Sequence, residues 1–240
     1  MSVNIRNNNK LRILAVGAHP DDVEICCGGT LARYALAGHH VMMGYATNGD
    51  KGHLEIPPDE LALVREKESR AAAAVIGAEV YWLNFPDAEL FYDAETRLAF
   101  IDMLRQARPD IIFTHWSEAY HPDHVAAGQL TFSANYISGV PHIKTQHPAS
   151  DRVAKLYYMD VAHDVRSEAA EYVDIGEVYE LKRKMLAAHE SQLVWLRDHD
   201  GVDVMARMEA RDRALGQQCG VEFAERFVPR GFRVSERLLP

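Results

Sequence analysis

Short apolar runs that stop at a glycine or a polar cluster alternate with longer segments of helical periodicity, and this alternation restricts the fold more than any other feature. Leu11-Arg-Ile-Leu-Ala-Val-Gly17 is the first such run, and a short apolar stretch of this kind reads as a parallel strand buried on both faces. Residues 23–38 read as a helix closed by Gly38. Val41 to Thr47 forms a second strand, followed by the loop Asn48-Gly-Asp-Lys-Gly-His53. Pro57-Pro58-Asp59 then opens a helix that runs through an alanine-rich stretch to Ile76 and stops at Gly77. Glu79 to Leu83 is a third strand, residues 94–107 a helix, and Asp110-Ile-Ile-Phe-Thr114 a fourth strand. Repeated strand-helix units predict an α/β fold with a mostly parallel central sheet.

Beyond these units the pattern predicts a helix around 123–138, strands near 154–162 and 171–175, and helices over 176–190 and 203–217. No internal repeat, low-complexity tract or Gly/Ser linker divides the 240 residues, so a single domain spanning 1–240 is expected. With 48% hydrophobic and 25% charged residues, the chain has enough apolar surface to bury a sizeable core. The net charge of −9 argues against a surface built to neutralise phosphates, so nucleic acid is not expected as a partner. No apolar run reaches the roughly 20 residues needed to span a bilayer. The N-terminal MSVNIRNNNK is polar with no signal-peptide core behind it, which leads to the expectation of a cytoplasmic location. Three cysteines, Cys26, Cys27 and Cys219, give no disulfide framework and read as free thiols.

The two densest polar clusters both fall just past a predicted strand, where open α/β sheets gather their functional groups. One is Ala18-His19-Pro20-Asp21-Asp22-Val23-Glu24 after the first strand. The other is His121-Pro122-Asp123-His124, a few residues past the fourth. Either cluster alone has a plain structural reading: Asp21 or Asp22 as a helix cap, or a polar loop. Together they supply imidazole and carboxylate donors suited to Zn²⁺, which at catalytic sites takes three protein ligands and leaves a position open. His19, Asp22 and His124 are the expected metal ligands, with Asp21 as general base on the activated water. His121 is then left to donate to the developing oxyanion or the leaving amine, and Asp123 to orient an imidazole.

These motifs, with Gly28-Gly29-Thr30 between them, resemble those of the LmbE-like, or PIG-L, zinc deacetylases. The resemblance runs on through Asp174-Ile175 and His189-Glu-Ser-Gln192 to Gly220-Val-Glu-Phe-Ala-Glu-Arg-Phe227, nearly the whole chain. It is strongest to the bacterial branch acting on N-acetylglucosaminyl conjugates, such as the N-acetylglucosaminyl-malate deacetylases of bacillithiol synthesis. It implies a Rossmann-like three-layer sandwich, zinc on His19, Asp22 and His124, Asp21 as base, and His121 with Asp123 as a partner pair. It also implies Arg65 as a substrate-binding residue, where the sequence alone gives a solvated helix charge. The implied substrate is a small N-acylated amino-sugar conjugate, and homo-oligomers, hexamers among them, are implied as the assembly. Rival readings are a zinc-dependent hydratase, a hydrolase of a different amide, and a sugar-binding protein with a structural metal.

Other features carry weaker expectations. His53-Leu-Glu-Ile-Pro-Pro58 departs from the family pattern. Cys26, Cys27, Gly28 and Gly29 read as close helix packing, since no phosphate-cradling glycine fingerprint is present. His115 and Trp116 read as strand-end core, with pocket lining as the alternative; for His163, His189 and Gln192 the resemblance implies a structural or rim role, with a satisfied core hydrogen bond as the alternative; and Arg226 to Arg237 reads as a basic, solvated tail or subunit contact.

Overall fold

A computed structural model describes residues 10–116, 118–159 and 170–230. The first four strand-helix units are β1 (Arg12–Gly17), α1 (Asp22–Leu36), β2 (His40–Thr47), α2 (Pro58–Ala74), β3 (Glu79–Phe85), α3 (Ala94–Ala107), β4 (Ile111–His115) and α4 (Pro122–Ile137). After them come β5 (Lys155–Met159), β6 (Glu171–Asp174), a 3₁₀ turn at Gly176–Val178, α5 (Tyr179–Ala187), α6 (Glu190–Asp200), α7 (Val204–Cys219) and β7 (Ala224–Arg230). The strands form a seven-stranded sheet in the order β3-β2-β1-β4-β5-β7-β6. The first five are parallel, and β7 runs antiparallel to both β5 and β6.

Successive side chains of a strand point to opposite faces. Leu14 and Val16 of β1 pack with Phe100, Ile101 and Leu104 of α3 and Leu130 of α4. Ile13 and Ala15 pack on the other face with Cys27 and Leu31 of α1, Ala72 of α2 and Met185 of α5. The result is a three-layer, Rossmann-like α/β sandwich, as expected. Pro58 opens α2, and a reciprocal Asp93–Thr96 capping box opens α3.

Cys26 and Cys27 are buried free thiols in this packing. Gly29 is required for its close approach, because a Cβ there would lie 2.7 Å from Ile175. Among the described residues, no helix is long and apolar enough to cross a membrane.

The C-terminal half differs from the sequence expectation in two places. The segment read as one helix over 176–190 breaks at His189, whose side chain turns inward, and α6 follows as a separate helix. Arg226 to Arg230, read as part of a solvated tail, belongs to β7 inside the sheet, with Phe227 and Val228 buried. Residues 231–237 of that tail, residues 160–162 of the strand expected near 154–162, and His163 lie outside the described residues.

Candidate active site

The chain turns back at β1. Its neighbours are β2 on one side and β4 on the other, so the connections leave β1 and β4 in opposite directions and open a crevice past their carboxyl ends. Both polar clusters sit at that crevice. Past β1, the Ala18 N–H donates to His115 Nε2 at 2.9 Å and the Thr47 hydroxyl donates to the Ala18 carbonyl at 2.9 Å. Asp22 Oδ2 accepts the His19 N–H at 2.7 Å, closing a tight turn that leads into α1. Past β4, His121 caps α4, its Nδ1 accepting the Asp123 N–H at 3.1 Å, and Pro122 follows in the first turn.

This turn forces Asp21 to φ 107°, ψ −27°, a left-handed conformation that non-glycine residues rarely adopt. Asp21 is the N-cap of α1, yet its side chain makes no capping hydrogen bond. Burial pushes its carboxyl up to about 6 against the opposing pull of the Arg65 guanidinium, whose Nη2 lies 3.9 Å from Asp21 Oδ1.

Arg65 is only 2% exposed, so the solvated-charge reading does not hold. It donates from Nη1 to the Gly49 carbonyl at 3.1 Å and from Nη2 to the Pro20 carbonyl at 2.6 Å, while its Nε is buried without a partner. Gly49, at φ 65°, leaves the room: a Cβ there would lie 2.2 Å from Arg65 Nη1.

The three residues read as metal ligands converge. His19 Nδ1 lies 3.2 Å from His124 Nε2, His124 Nε2 lies 3.3 Å from Asp22 Oδ1, and His19 Nδ1 lies 3.4 Å from Asp22 Oδ2. Donors each roughly 2.0–2.1 Å from a tetrahedral ion stand about 3.3 Å apart. Among the described residues, three sets of close metal-capable donors overlap on these residues: His19, His121 and His124; Asp22, His115 and His124; and His19, Asp87 and Asp123. Burial opposes ionisation of Asp22, but His124 and His115 beside it hold its carboxyl well below the usual range.

The other nitrogen of His19 is held by carboxylates. His19 Nε2 is 3.1 Å from Asp123 Oδ2 and 3.2 Å from Asp87 Oδ1. Burial alone would lower the His19 pKa, but Asp123, Asp22 and Asp87 raise it well above the usual value. Asp123 is itself fixed by the N–H groups of Ala88, at 2.8 Å, and Leu90, at 3.3 Å. The orienting carboxylate therefore serves His19. The expected His121–Asp123 pairing runs instead through the Asp123 backbone, whose N–H donates to His121 Nδ1 and leaves Nε2 free to act as the ring's donor. Burial, with His19 and His124 nearby, lowers the His121 pKa.

Two groups that the sequence reading passed over complete the site. Asp87 lies in the Pro-Asp-Ala turn after β3, where a lone acid reads as turn chemistry. His115 is fully buried and stacks on His124, ring centroids 4.1 Å apart, with burial lowering its pKa to about 4. Trp116, as expected, packs against the core.

Glu24 and His189 form a buried pair beneath the site. Glu24 Oε1 accepts the Tyr45 hydroxyl at 2.6 Å and lies 2.8 Å from His189 Nε2. His189 is thus the core residue its alternative reading allowed, while Gln192, one turn on, lines the cavity rim.

All of this opens into a cavity of about 660 Å³, with His19, Asp21, Asp22, Arg65, His121 and His124 at one end. The arrangement juxtaposes a strained, buried carboxylate, a ring of metal-capable donors and an imidazole N–H, the constituents of a water-activating hydrolytic centre.

The sequence profile described as "GlcNAc-PI de-N-acetylase", PIG-L, matches residues 14–135, which contain both clusters. The diacetylchitobiose deacetylase of Thermococcus kodakarensis is 30% identical over 240 aligned residues, covering 92% of this chain and 85% of that protein. A conserved protein of Thermus thermophilus, TT1542, superposes with a TM-score of 0.80 at 29% identity, covering 96% of this chain and 99% of its own. The N,N'-diacetylchitobiose deacetylase of Pyrococcus horikoshii, solved with an inhibitor, gives a TM-score of 0.78 at 26% identity, over 90% of this chain and 82% of its own. With the profile spanning both motif clusters and the likeness extending over nearly the full chain, this protein belongs to the PIG-L family of GlcNAc-PI de-N-acetylases.

Proposed function

We propose that the chain is a zinc-dependent N-deacetylase that removes the acetyl group from an N-acetylglucosamine-type conjugate. The observation that carries the reading is the convergence of His19 Nδ1 and His124 Nε2, 3.2 Å apart, on the Asp22 carboxylate, whose Oδ1 lies 3.3 Å from His124 Nε2 and Oδ2 3.4 Å from His19 Nδ1, beside the Asp21 carboxylate. Two imidazoles and a carboxylate suit Zn²⁺, and an imidazole whose second nitrogen faces a carboxylate, as in His19, is the usual metal-ligating arrangement. When bound, zinc supplies Lewis-acid chemistry, lowering the pKa of water and polarising a carbonyl.

The chain's own groups account for the rest. Asp21, turned away from any capping role, takes a proton from the attacking water. His121, with Nδ1 occupied by the Asp123 N–H, presents Nε2–H to the oxyanion or to the departing nitrogen. Water adds to the amide carbon, the C–N bond breaks, and the nitrogen leaves as the free amine after gaining a proton. Asp123 and Asp87 hold the His19 ring, and Arg65 secures the Pro20–Asp21 turn while lining the sugar end of the cavity. The names of the chitobiose deacetylase relatives support an acetylated amino sugar as substrate.

Acetate release from N-acetylglucosaminides tests the reading. Turnover should fall to background after chelation and return with about one equivalent of Zn²⁺. Turnover indifferent to chelation would overturn the metal assignment. No acetate from any such conjugate by the zinc-loaded protein would overturn the substrate class.

A further inference from the structure

The cavity wall has two chemically different parts. Beside the donor cluster, it is built by α1, α6, α7 and the turn between the last two, where Ile25, Leu196, Val202, Val204 and Met208 form an apolar strip and Asp200 adds one acid. Val204 and Met208 are rooted in a small core cluster, but Ile25, Leu196 and Val202 stay partly exposed at its edge and line the open space. The hydroxyls of a sugar find no hydrogen-bond partner on such an apolar strip. An apolar group gains from it, because contact removes both surfaces from water. A cavity of about 660 Å³ has room for more than one ring.

Three arginines line this space. Arg65 is committed to the carbonyls of Gly49 and Pro20, and Arg211 to Asp212. Arg207 is exposed and makes no ion pair among the described residues.

Resting on the deacetylase reading, we infer that this part of the cavity is the aglycone subsite and that it takes an apolar aglycone bearing an anionic group, the apolar part against the strip and the anion at Arg207. The preference therefore resides in α6 and α7, outside both metal-site motifs.

The experiment compares methyl, phenyl and 4-carboxyphenyl N-acetyl-β-glucosaminides, by acetate release with zinc-loaded protein and by calorimetric binding. Replacing methyl by phenyl should raise kcat/KM about tenfold, the scale of one good apolar contact. The carboxylate should add about threefold, as suits a solvent-exposed ion pair, and this increment should shrink with salt. Arg207→Ala should erase the carboxylate increment and keep the phenyl one, whereas Leu196→Asn should erase the phenyl increment. Deacetylation of all three glycosides with equal kcat/KM and equal Kd would overturn the subsite while leaving the deacetylase reading intact. If none is deacetylated, that reading fails on its own. The calorimetric ranking then still decides the subsite, a graded series supporting it and a flat one overturning it.

Discussion

Asp21→Asn is expected to lower kcat for acetate release by about 10²–10⁴-fold, the range for loss of a general base, while zinc content and fold are retained. The geometry separates these effects. The proposed coordinating atoms belong to His19, Asp22 and His124, so the substitution leaves those donors in place. Asparagine is among the non-glycine residues that best tolerate positive φ, so the strained turn at φ 107° survives. It also carries no charge to bury, whereas the Asp21 carboxylate sits where burial pushes its pKa up to about 6. Since Asp21 makes no cap hydrogen bond, none is lost from α1. Metal content by emission spectroscopy, far-UV dichroism and kcat on one preparation provide the check. A variant with zinc bound and kcat within tenfold of wild type would remove Asp21 from the base role.

The second large effect concerns stability and lies behind the site. Lys182 is fully buried, with Nζ 2.6 Å from Asp212 Oδ2 and 2.7 Å from Glu225 Oε1. Glu225 also accepts the N–H groups of Gly29 and Thr30 at 2.9 and 2.7 Å, and Arg211 pairs with Asp212 at 2.8 Å. One ammonium thus joins α5 to α7 and, through Glu225 of β7, to α1. Lys182→Met keeps the apolar stem but leaves two buried carboxylates short of a cation, a change that costs about 3–5 kcal/mol. Urea unfolding followed by fluorescence should show the midpoint falling with the slope unchanged. A loss below about 1 kcal/mol would mean that water or Arg211 already compensates these charges.

The parts legible in the sequence were those whose chemistry is local. Parallel strands buried on both faces read as unbroken apolar runs, which is why β1, β2 and β4 stand out. The polar clusters at the ends of β1 and β4 are conspicuous against them. The same reasoning fails for β7. Ala224-Glu-Arg-Phe-Val-Pro-Arg230 reads as a polar tail because Glu225, which makes it look solvent-facing, is fully buried against Lys182, a residue 43 positions earlier. The break between α5 and α6 is hidden for a similar reason, since His189 satisfies Glu24 across 165 residues. Asp87 and His115 were missed because a lone acid in a turn and a lone histidine at a strand end each have an ordinary local explanation. Only the neighbours supplied by other strands give them a different role.

The adjacency of β1 and β4 also bears on when the site exists during folding. These strands pair Ile13 with Ile111 and Val16 with Thr114, so β2, β3 and the helices around them form a loop that must be closed before the two clusters meet. Neither half of the chain contains the whole donor set, because His19 and Asp22 come with one and His124 with the other. On the proposed zinc reading, metal affinity would therefore belong to the closed topology and would be weaker in nascent or partly unfolded chains. By mass action the ion then favours the one arrangement in which both halves are joined. The metal would act as a late check on assembly as well as a reagent, selecting chains in which β4 has paired with β1.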